Sequence, residues 1–441
     1  MNIRFFHIKL LTMKEGEEVI PRAELWAMDG MVAYAGAADQ APDASKVKWD
    51  RQIDGRGNLL LPGFKNAHTH SAMTFLRSYA DDLPLSEWLN RQVFPMEAKL
   101  RQDDVYHLCK LAILEYLTSG ITANFDMYKY PKQIARASAD CGFRTVICGA
   151  LNDFTSSLEE EEENYASLNC FHPLVSYRLG FHAEYTTSEE LLKGLAKLAD
   201  RLKAPVFTHN SETASEVEEC VKRHGATPTV YLDSLGMFRH GGGGYHCVHM
   251  SKEDLEIFRR RGLYAVTNPA SNLKLASGIA PVGNMLDLGI KVAIGTDGPA
   301  SNNCLDMFRE MFLVTGLGKL REGDAAAIPA GEVLKMAAVQ GAGAMGLSDC
   351  DCLEEGKRAD LVLIDLQRPN MQPENNLVKN LVYSASKENV KLTMVNGAIL
   401  YEDGAFFVGE PAERIYQKAN EIICRLRQGR DSWYDTVQMT K

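Results

Sequence analysis

The sequence predicts an α/β protein: a (β/α)8 barrel over residues 59–346, flanked by a small β domain drawn from both ends of the chain, residues 1–58 and 347–441. Three observations carry this reading. At 441 residues the chain exceeds what one small core organises, and a large barrel with an appendage is a natural division. From Leu59 to about Gly346, short β-branched or apolar runs alternate with longer amphipathic segments, the signature of repeated βα units. Outside that stretch the chain reads as short strands and turns, which leaves the two ends to pair with each other.

Residues 1–58 show strands turned at Asp29-Gly30 and Asp54-Gly55. The apolar run Leu59–Phe64 reads as the first barrel strand, and later strands end at Phe125, Ala150, Phe181, Thr208, Cys247, Thr267 and Gly295, a series of the length a closed barrel needs. Between them, Asp104–Leu117 sets Val105, Leu108, Ala112 and Tyr116 on one helical face and stops at Gly120. Ser251 opens another helix with a capping-box spacing to Asp254, and Gly262 ends it. After the barrel, Ala359–Asp365 and Val390–Tyr401, the latter turned at Asn396-Gly397, read as strands, followed by a helix from Glu413 to Arg427. The acidic run Glu159–Glu163 reads as a solvated face at a helix start, where negative charge suits the dipole. Gly241–Gly244 reads as a flexible connection before strand six, because a phosphate-cradling loop would join a strand to a helix N-terminus.

Composition narrows the function classes. A net charge of −10 without clustered Lys/Arg argues against nucleic acid as a partner. Arg4, His7 and Lys9 interrupt the N-terminus before an apolar signal core can form, and no apolar stretch approaches membrane-spanning length, so a cytoplasmic protein with no membrane partner is expected. Ten cysteines without a CxxC pair read as reduced, several of them as small core residues. The dinucleotide, P-loop, nucleophile-elbow and HExxH signatures are all missing from the sequence.

The chemistry is concentrated in His68-Thr69-His70. Alternation along a strand sends residues i and i+2 to the same face, so both imidazoles can reach one cation. His209, His246 and Asp297 stand at or near the ends of strands five, six and eight, and barrel strand ends converge on one mouth. Singly, each has a duller reading as a hydrogen-bonded histidine or a turn former; together, on one side of one barrel, they form a metal site. We assign His68, His70, His209 and Asp297 as ligands of one divalent ion per chain, with Zn2+ first and Fe2+ or Mn2+ compatible with the same donors. Such an ion lowers the pKa of bound water from about 15.7 to about 7. Glu212, three residues after His209, is the candidate proton carrier, His246 orients the water, and Asp297 can accept its proton.

With these residues in place, the chain resembles the amidohydrolase superfamily over almost its full length, and within it the 5-methylthioadenosine/S-adenosylhomocysteine deaminase branch. The segments LPGFKNAHTHSAMTFLRSYADDLPLSEWL, HNSET, HCVHMS, NPASNLKLASGIAPV, GTDGPASNN and EEGKRADLVLID follow that branch's motifs in order. The resemblance implies that the terminal strands combine into a β-sandwich beside the barrel. It implies the same ligands and proton-handling residues, and substrate contacts at Trp88, Glu97, His182, Glu212 and Ser301, with Glu97 facing ribose hydroxyls. Members that accept a charged homocysteine tail carry an arginine near the end of strand three, where RTVICGALN here places Gly149, so Arg178 or a neighbouring subunit would have to supply that cation.

The expected activity is therefore zinc-dependent hydrolytic deamination of an adenine nucleoside such as adenosine, 5′-deoxyadenosine, 5-methylthioadenosine or S-adenosylhomocysteine, with ammonia released. A deaminase or chlorohydrolase of a guanine-type base, cytosine or a triazine is the alternative within the superfamily, and a catalytically silent metal-binding protein is the alternative outside it. His182-Ala183-Glu184 mimics half of the HxE…PCxxC deaminase signature, but the second half has no counterpart in the sequence. Homo-oligomer formation is left open.

Overall fold

The apolar run Leu59–Phe64 proves to be two strands with different partners, and the break falls at Pro62-Gly63. In the computed structural model, which describes residues 1–16, 18–79, 81–83 and 87–428, Leu59–Pro62 belongs to the terminal domain and the barrel begins only at Phe64. Residues 429–441, assigned from sequence to the C-terminal unit, lie outside the described residues, as does part of the LRSYADDLPLSEWL segment. A run that is apolar at every position hides such a break, because it carries no alternation to mark where one sheet hands over to another.

The terminal domain contains β1 (Asn2–Leu10), β2 (Ile20–Met28), β3 (Met31–Ala37), β4 (Arg51–Asp54) and β5 (Leu59–Pro62). The barrel strands are β6 (Phe64–Thr69), β7 (Ile121–Met127), β8 (Arg144–Cys148), β9 (Val175–Gly180), β10 (Val206–Asn210), β11 (Gly242–His246), β12 (Tyr264–Thr267) and β13 (Lys291–Ile294). After the barrel come β14 (Leu361–Ile364), β15 (Val390–Val395), β16 (Ala398–Glu402) and β17 (Ala405–Phe406). The two ends of the chain combine as expected, into one nine-stranded mixed sheet ordered β17-β16-β15-β14-β5-β1-β2-β3, with β4 beside β1. β5 joins the halves, running parallel to β1 and antiparallel to β14. Alternation explains why β5 and β14 are apolar throughout. Leu60, Leu361 and Leu363 enter the sheet's own core with Ile3 and Phe5, while Leu59, Leu61 and Val362 join the larger core shared with the barrel helices.

A buried ion pair also ties sheet to barrel. Arg144, opening β8, meets Asp360, preceding β14, through two hydrogen bonds of 2.7 and 3.0 Å, and Asp360 also accepts from the Asn396 amide at 2.6 Å. Burial works against both charges, but Arg144 prevails and holds the Asp360 carboxyl below its ordinary range. Asp360→Ala is expected to cost about 3–5 kcal/mol, because it leaves the guanidinium buried and unpaired. The measurement is the urea midpoint against that of wild type; an unchanged midpoint would show that the pair adds nothing to stability.

The eight barrel strands are parallel neighbours in sequence order, β6 to β13. The seam between β13 and β6 is closed by particular groups: Asp297 N donates to His68 O at 3.0 Å, and Asn66 and Thr296 exchange bonds of 2.7 and 2.9 Å. Inside, Ala67, Phe125, Cys148, Phe207, Tyr245 and Ala293 fill the barrel below its mouth.

Local signals hold where the chemistry is local. The helix Gln102–Thr118 ends before Gly120 at φ +71°, Ser251 and Asp254 cap Lys252–Arg261 reciprocally, and the terminal helix runs Ala412–Arg427. The turns at Asp29-Gly30 and Asn396-Gly397 take positive φ at both residues, whereas the third turn falls at Arg56-Gly57, one pair later than expected. Two further expectations need correction. Gly242–Gly244 is part of β11, not a flexible connection: a Cβ at Gly242 would lie 1.9 Å from the Val206 carbonyl oxygen, so glycine lets the strands approach. Glu161, within the acidic run, is buried and accepts from Tyr177 Oη at 2.8 Å and Gly180 N at 3.1 Å, while Glu159, Glu160, Glu162 and Glu163 face solvent. Among the described residues, no helix is long and apolar enough to cross a membrane.

Candidate active site

The strand ends bring together the histidines that the sequence keeps apart. His68, inside β6, is fully buried; its ring stacks on Tyr245 at 3.7 Å and stands 4.8 Å from the His70 ring and 4.9 Å from that of His209. Nitrogens of His68, His209 and His246 lie within 4.8 Å of one another, and so do donor atoms of His68, His70 and Asp297. The two groups share His68. Asp297 lies beyond the end of β13, with Oδ1 3.2 Å from His70 Nε2 and 3.7 Å from His68 Nε2.

Hydrogen bonds fix which nitrogen each imidazole presents. His70 Nδ1 donates to the Met127 carbonyl, and His209 Nδ1 donates to the His182 carbonyl at 2.7 Å. A carbonyl can only accept, so each ring keeps a proton on Nδ1 and turns Nε2 to the centre. His68 is more telling, because both its ring nitrogens are buried without a hydrogen-bond partner. Burial and the adjacent imidazoles hold it well below the ordinary histidine range, so it is neutral and has a lone pair to give. An orphaned neutral imidazole among two more and a carboxylate fits a divalent cation by donor chemistry and by the polar group it would otherwise strand.

Asp297 is held from all sides. Its Oδ2 accepts from Ser271 Oγ at 2.6 Å and Ser301 Oγ at 2.8 Å, and its Oδ1 from Gly298 N at 2.7 Å. Burial would raise its pKa, but the hydrogen bond from His70 and the surrounding imidazoles overcome this and keep it ionised. Ser301, singled out as a substrate contact, thus spends its hydroxyl on Asp297. His246 Nδ1 bonds Asn272 Oδ1 at 2.7 Å, and its Nε2 stands 3.7 Å from Glu212 Oε2. Ser271 and Asn272, adjacent in the helix Pro269–Lys274, therefore position Asp297 and His246. Both lie in the segment NPASNLKLASGIAPV, where the only signal for this role is two polar residues just inside a buried helix start.

Glu212 sits just past β10 with one carboxyl oxygen 3.3 Å from Ser277 Oγ, and burial raises its pKa. Its backbone is clamped by Glu216, which accepts from the amides of Ser211 and Glu212, each at 2.8 Å. Ser211, His246 and Asp297 adopt φ of +54°, +68° and +58°. Left-handed backbone at non-glycine residues costs on the order of 1–3 kcal/mol each, and here the surrounding hydrogen bonds over-determine it.

Trp88 is buried in an apolar cluster with Phe75, Val93, Met96 and Tyr128. Glu97 ends the short helix Phe94–Glu97; its carboxylate accepts from Tyr128 Oη, and burial raises its pKa against that bond. His182 stands with its ring 4.9 Å from that of His209 and Nδ1 3.0 Å from Thr186 Oγ1, and burial lowers its pKa to about 4. The expectation built on Gly149 requires correction in its geometry. A Cβ there would lie 1.9 Å from Glu161 Oε1, so the position faces an outer helix, while Cys148 and Ala150 take the inward register. Arg178 does not serve either, because its guanidinium donates to the carbonyls of Tyr177 and Met345, beside the helix Gly341–Met345.

The amidohydrolase family profile matches residues 59–400. A protein of Thermoanaerobacter pseudethanolicus named 5-methylthioadenosine/S-adenosylhomocysteine deaminase is 39% identical over 411 residues, which cover 91% of this chain and 94% of that one. A 5′-deoxyadenosine deaminase of Methanothermobacter thermautotrophicus is 40% identical over 380 residues, 85% of this chain and 89% of its own. Among solved structures, an adenosine deaminase from Xanthomonas campestris with bound zinc superposes with a TM-score of 0.91 at 30% identity, covering 97% of this chain and 98% of that one. The match over most of the chain, the barrel and the imidazole cluster at its mouth agree: the chain belongs to the amidohydrolase family.

Proposed function

We propose that the protein is a zinc-dependent hydrolytic deaminase of adenine nucleosides. The observation that carries the reading is Glu212, a buried acid 3.7 Å from His246 beside a cluster of imidazoles, the arrangement needed to move protons next to an activated water. His68, His70, His209 and Asp297 would hold the ion, and zinc suits three imidazoles with one carboxylate. When bound, a divalent ion supplies Lewis acidity and makes water a usable nucleophile near neutral pH.

The chain's own residues do the rest. As water adds to C6 of the adenine ring, Glu212 takes one of its protons and passes it to ring nitrogen N1. His246, fixed by Asn272, keeps Nε2 toward the incoming oxygen. The water's second proton goes to the amino group, the C6–N bond breaks with its electron pair on nitrogen, and ammonia leaves a C6 carbonyl with N1 protonated. Trp88, Glu97 and His182 line the nucleoside side, and the names of the relatives support an adenine nucleoside as the class.

Ammonia release across adenine, guanine and cytosine nucleosides and their free bases tests the reading: adenine nucleosides should lead, and activity confined to free bases or triazines would overturn it. The four ligands form one mononuclear set, so purified protein should carry about one tightly held first-row ion per chain. Elemental analysis finding two ions per active chain, or activity that survives exhaustive chelation, would refute that assignment.

A further inference from the structure

The end of β7 touches the metal-type donors and the nucleoside side through consecutive residues. Met127 closes the strand and its carbonyl accepts from His70 Nδ1. Tyr128 follows, its ring 6.4 Å from that of His70 and its hydroxyl on the Glu97 carboxylate. Lys129 comes next and donates its ammonium to the Glu97 backbone carbonyl. Glu97 belongs to a short helix in a separate segment, so this strand end is what ties that carboxylate to the barrel wall carrying His70.

We propose that Tyr128 is a positioning residue for ribose recognition: its hydroxyl fixes the Glu97 carboxylate at a set distance from the metal centre, so that ribose hydroxyls and adenine C6 are engaged together. This rests on the reading that Glu97 accepts from ribose hydroxyls. A carboxylate has room for several donors, so Tyr128 Oη can hold one lone pair while the others face the sugar. Tyr128 lies in the apolar cluster that contains Trp88, which accounts for its burial. Packing there requires the ring and not the hydroxyl, and Phe would satisfy it equally.

The experiment is a double-mutant cycle of Tyr128→Phe and Glu97→Ala on zinc-loaded enzyme, measured with an adenine ribonucleoside and its 2′,3′-dideoxy analogue. Tyr128→Phe keeps the ring, and zinc content with thermal unfolding checks that the fold is intact. Tyr128→Phe should lower kcat/KM for the ribonucleoside about tenfold, mostly through KM, with a much smaller loss on the dideoxy analogue. In the Glu97→Ala background the further loss should vanish, because Tyr128 acts through that carboxylate. Equal losses on both substrates, or a tenfold loss persisting without Glu97, would overturn the proposal. A ribose-selective Glu97→Ala beside a silent Tyr128→Phe would overturn it alone, whereas a Glu97→Ala that harms both substrates equally would bring down the ribose reading with it.

Discussion

Replacing Glu212 with Gln is expected to lower turnover by at least about 10²-fold while zinc content stays at the wild-type level. The amide can still hydrogen-bond Ser277 but cannot carry a proton from water to the ring and the leaving group. The loop should not move, because its anchor is Glu216, which grips the backbone amides of Ser211 and Glu212 and not the Glu212 side chain. His209 keeps its orientation through the His182 carbonyl, independently of residue 212. The pH profile supplies a second readout. Burial raises the Glu212 pKa, so the ionised form needed to accept a proton is lost as pH falls through a value above the ordinary glutamate range. The wild-type kcat/KM should show that acid limb, and the residual activity of Glu212→Gln should lack it. Near-normal turnover in the variant would mean that another group handles the protons.

What the sequence makes legible follows from how far each physical signal reaches. The His68-x-His70 pair is visible because strand alternation is a rule of local geometry, and His209 and His246 are visible because barrel strand ends converge. Caps and turns such as Ser251/Asp254 and Asn396-Gly397 are local too. The split of Leu59–Phe64 is hidden by uniform hydrophobicity, since β5 is buried on both faces and shows no alternation to interrupt. Gly242–Gly244 misleads because the reason for glycine lies across the sheet, at Val206 and Tyr264. Glu161 misleads because four of five neighbouring acids are solvated, and the fifth is claimed by the following strand, β9.

The site divides in the same way. Its donors are legible because few residue types bind metal, whereas the residues that hold them in place are not. Ser271, Asn272, Glu216 and Tyr128 are common residues whose roles depend on which partner the fold brings near. Asn272 becomes informative only when His246 is seen 2.7 Å away, and Tyr128 only when its hydroxyl is found on Glu97. Residue types that suit a metal can be picked out from sequence, whereas hydrogen-bond partners that depend on placement cannot.

S-Adenosylhomocysteine is expected to be the poorest of four substrates, behind adenosine, 5′-deoxyadenosine and 5-methylthioadenosine. Its tail carries a carboxylate, and burying that group without a cationic or multiply hydrogen-bonded partner costs several kcal/mol, about a hundredfold or more in kcat/KM. Gly149 faces Glu161 rather than the mouth, and the inward neighbours on that strand end, Cys148 and Ala150, carry no positive charge. Four cations elsewhere around the barrel are engaged: Arg77 with Glu115, Lys129 with the Glu97 carbonyl, Lys274 with Asp81 and Asn303, and Arg178 with the Met345 carbonyl. Recruiting any of them for the tail would break an existing bond, which offsets part of the gain. The measurement is kcat/KM for the four nucleosides under one buffer and one salt concentration. A clear preference for S-adenosylhomocysteine would overturn the expectation and require a cation from outside this chain, which the dependence of that preference on protein concentration would then reveal.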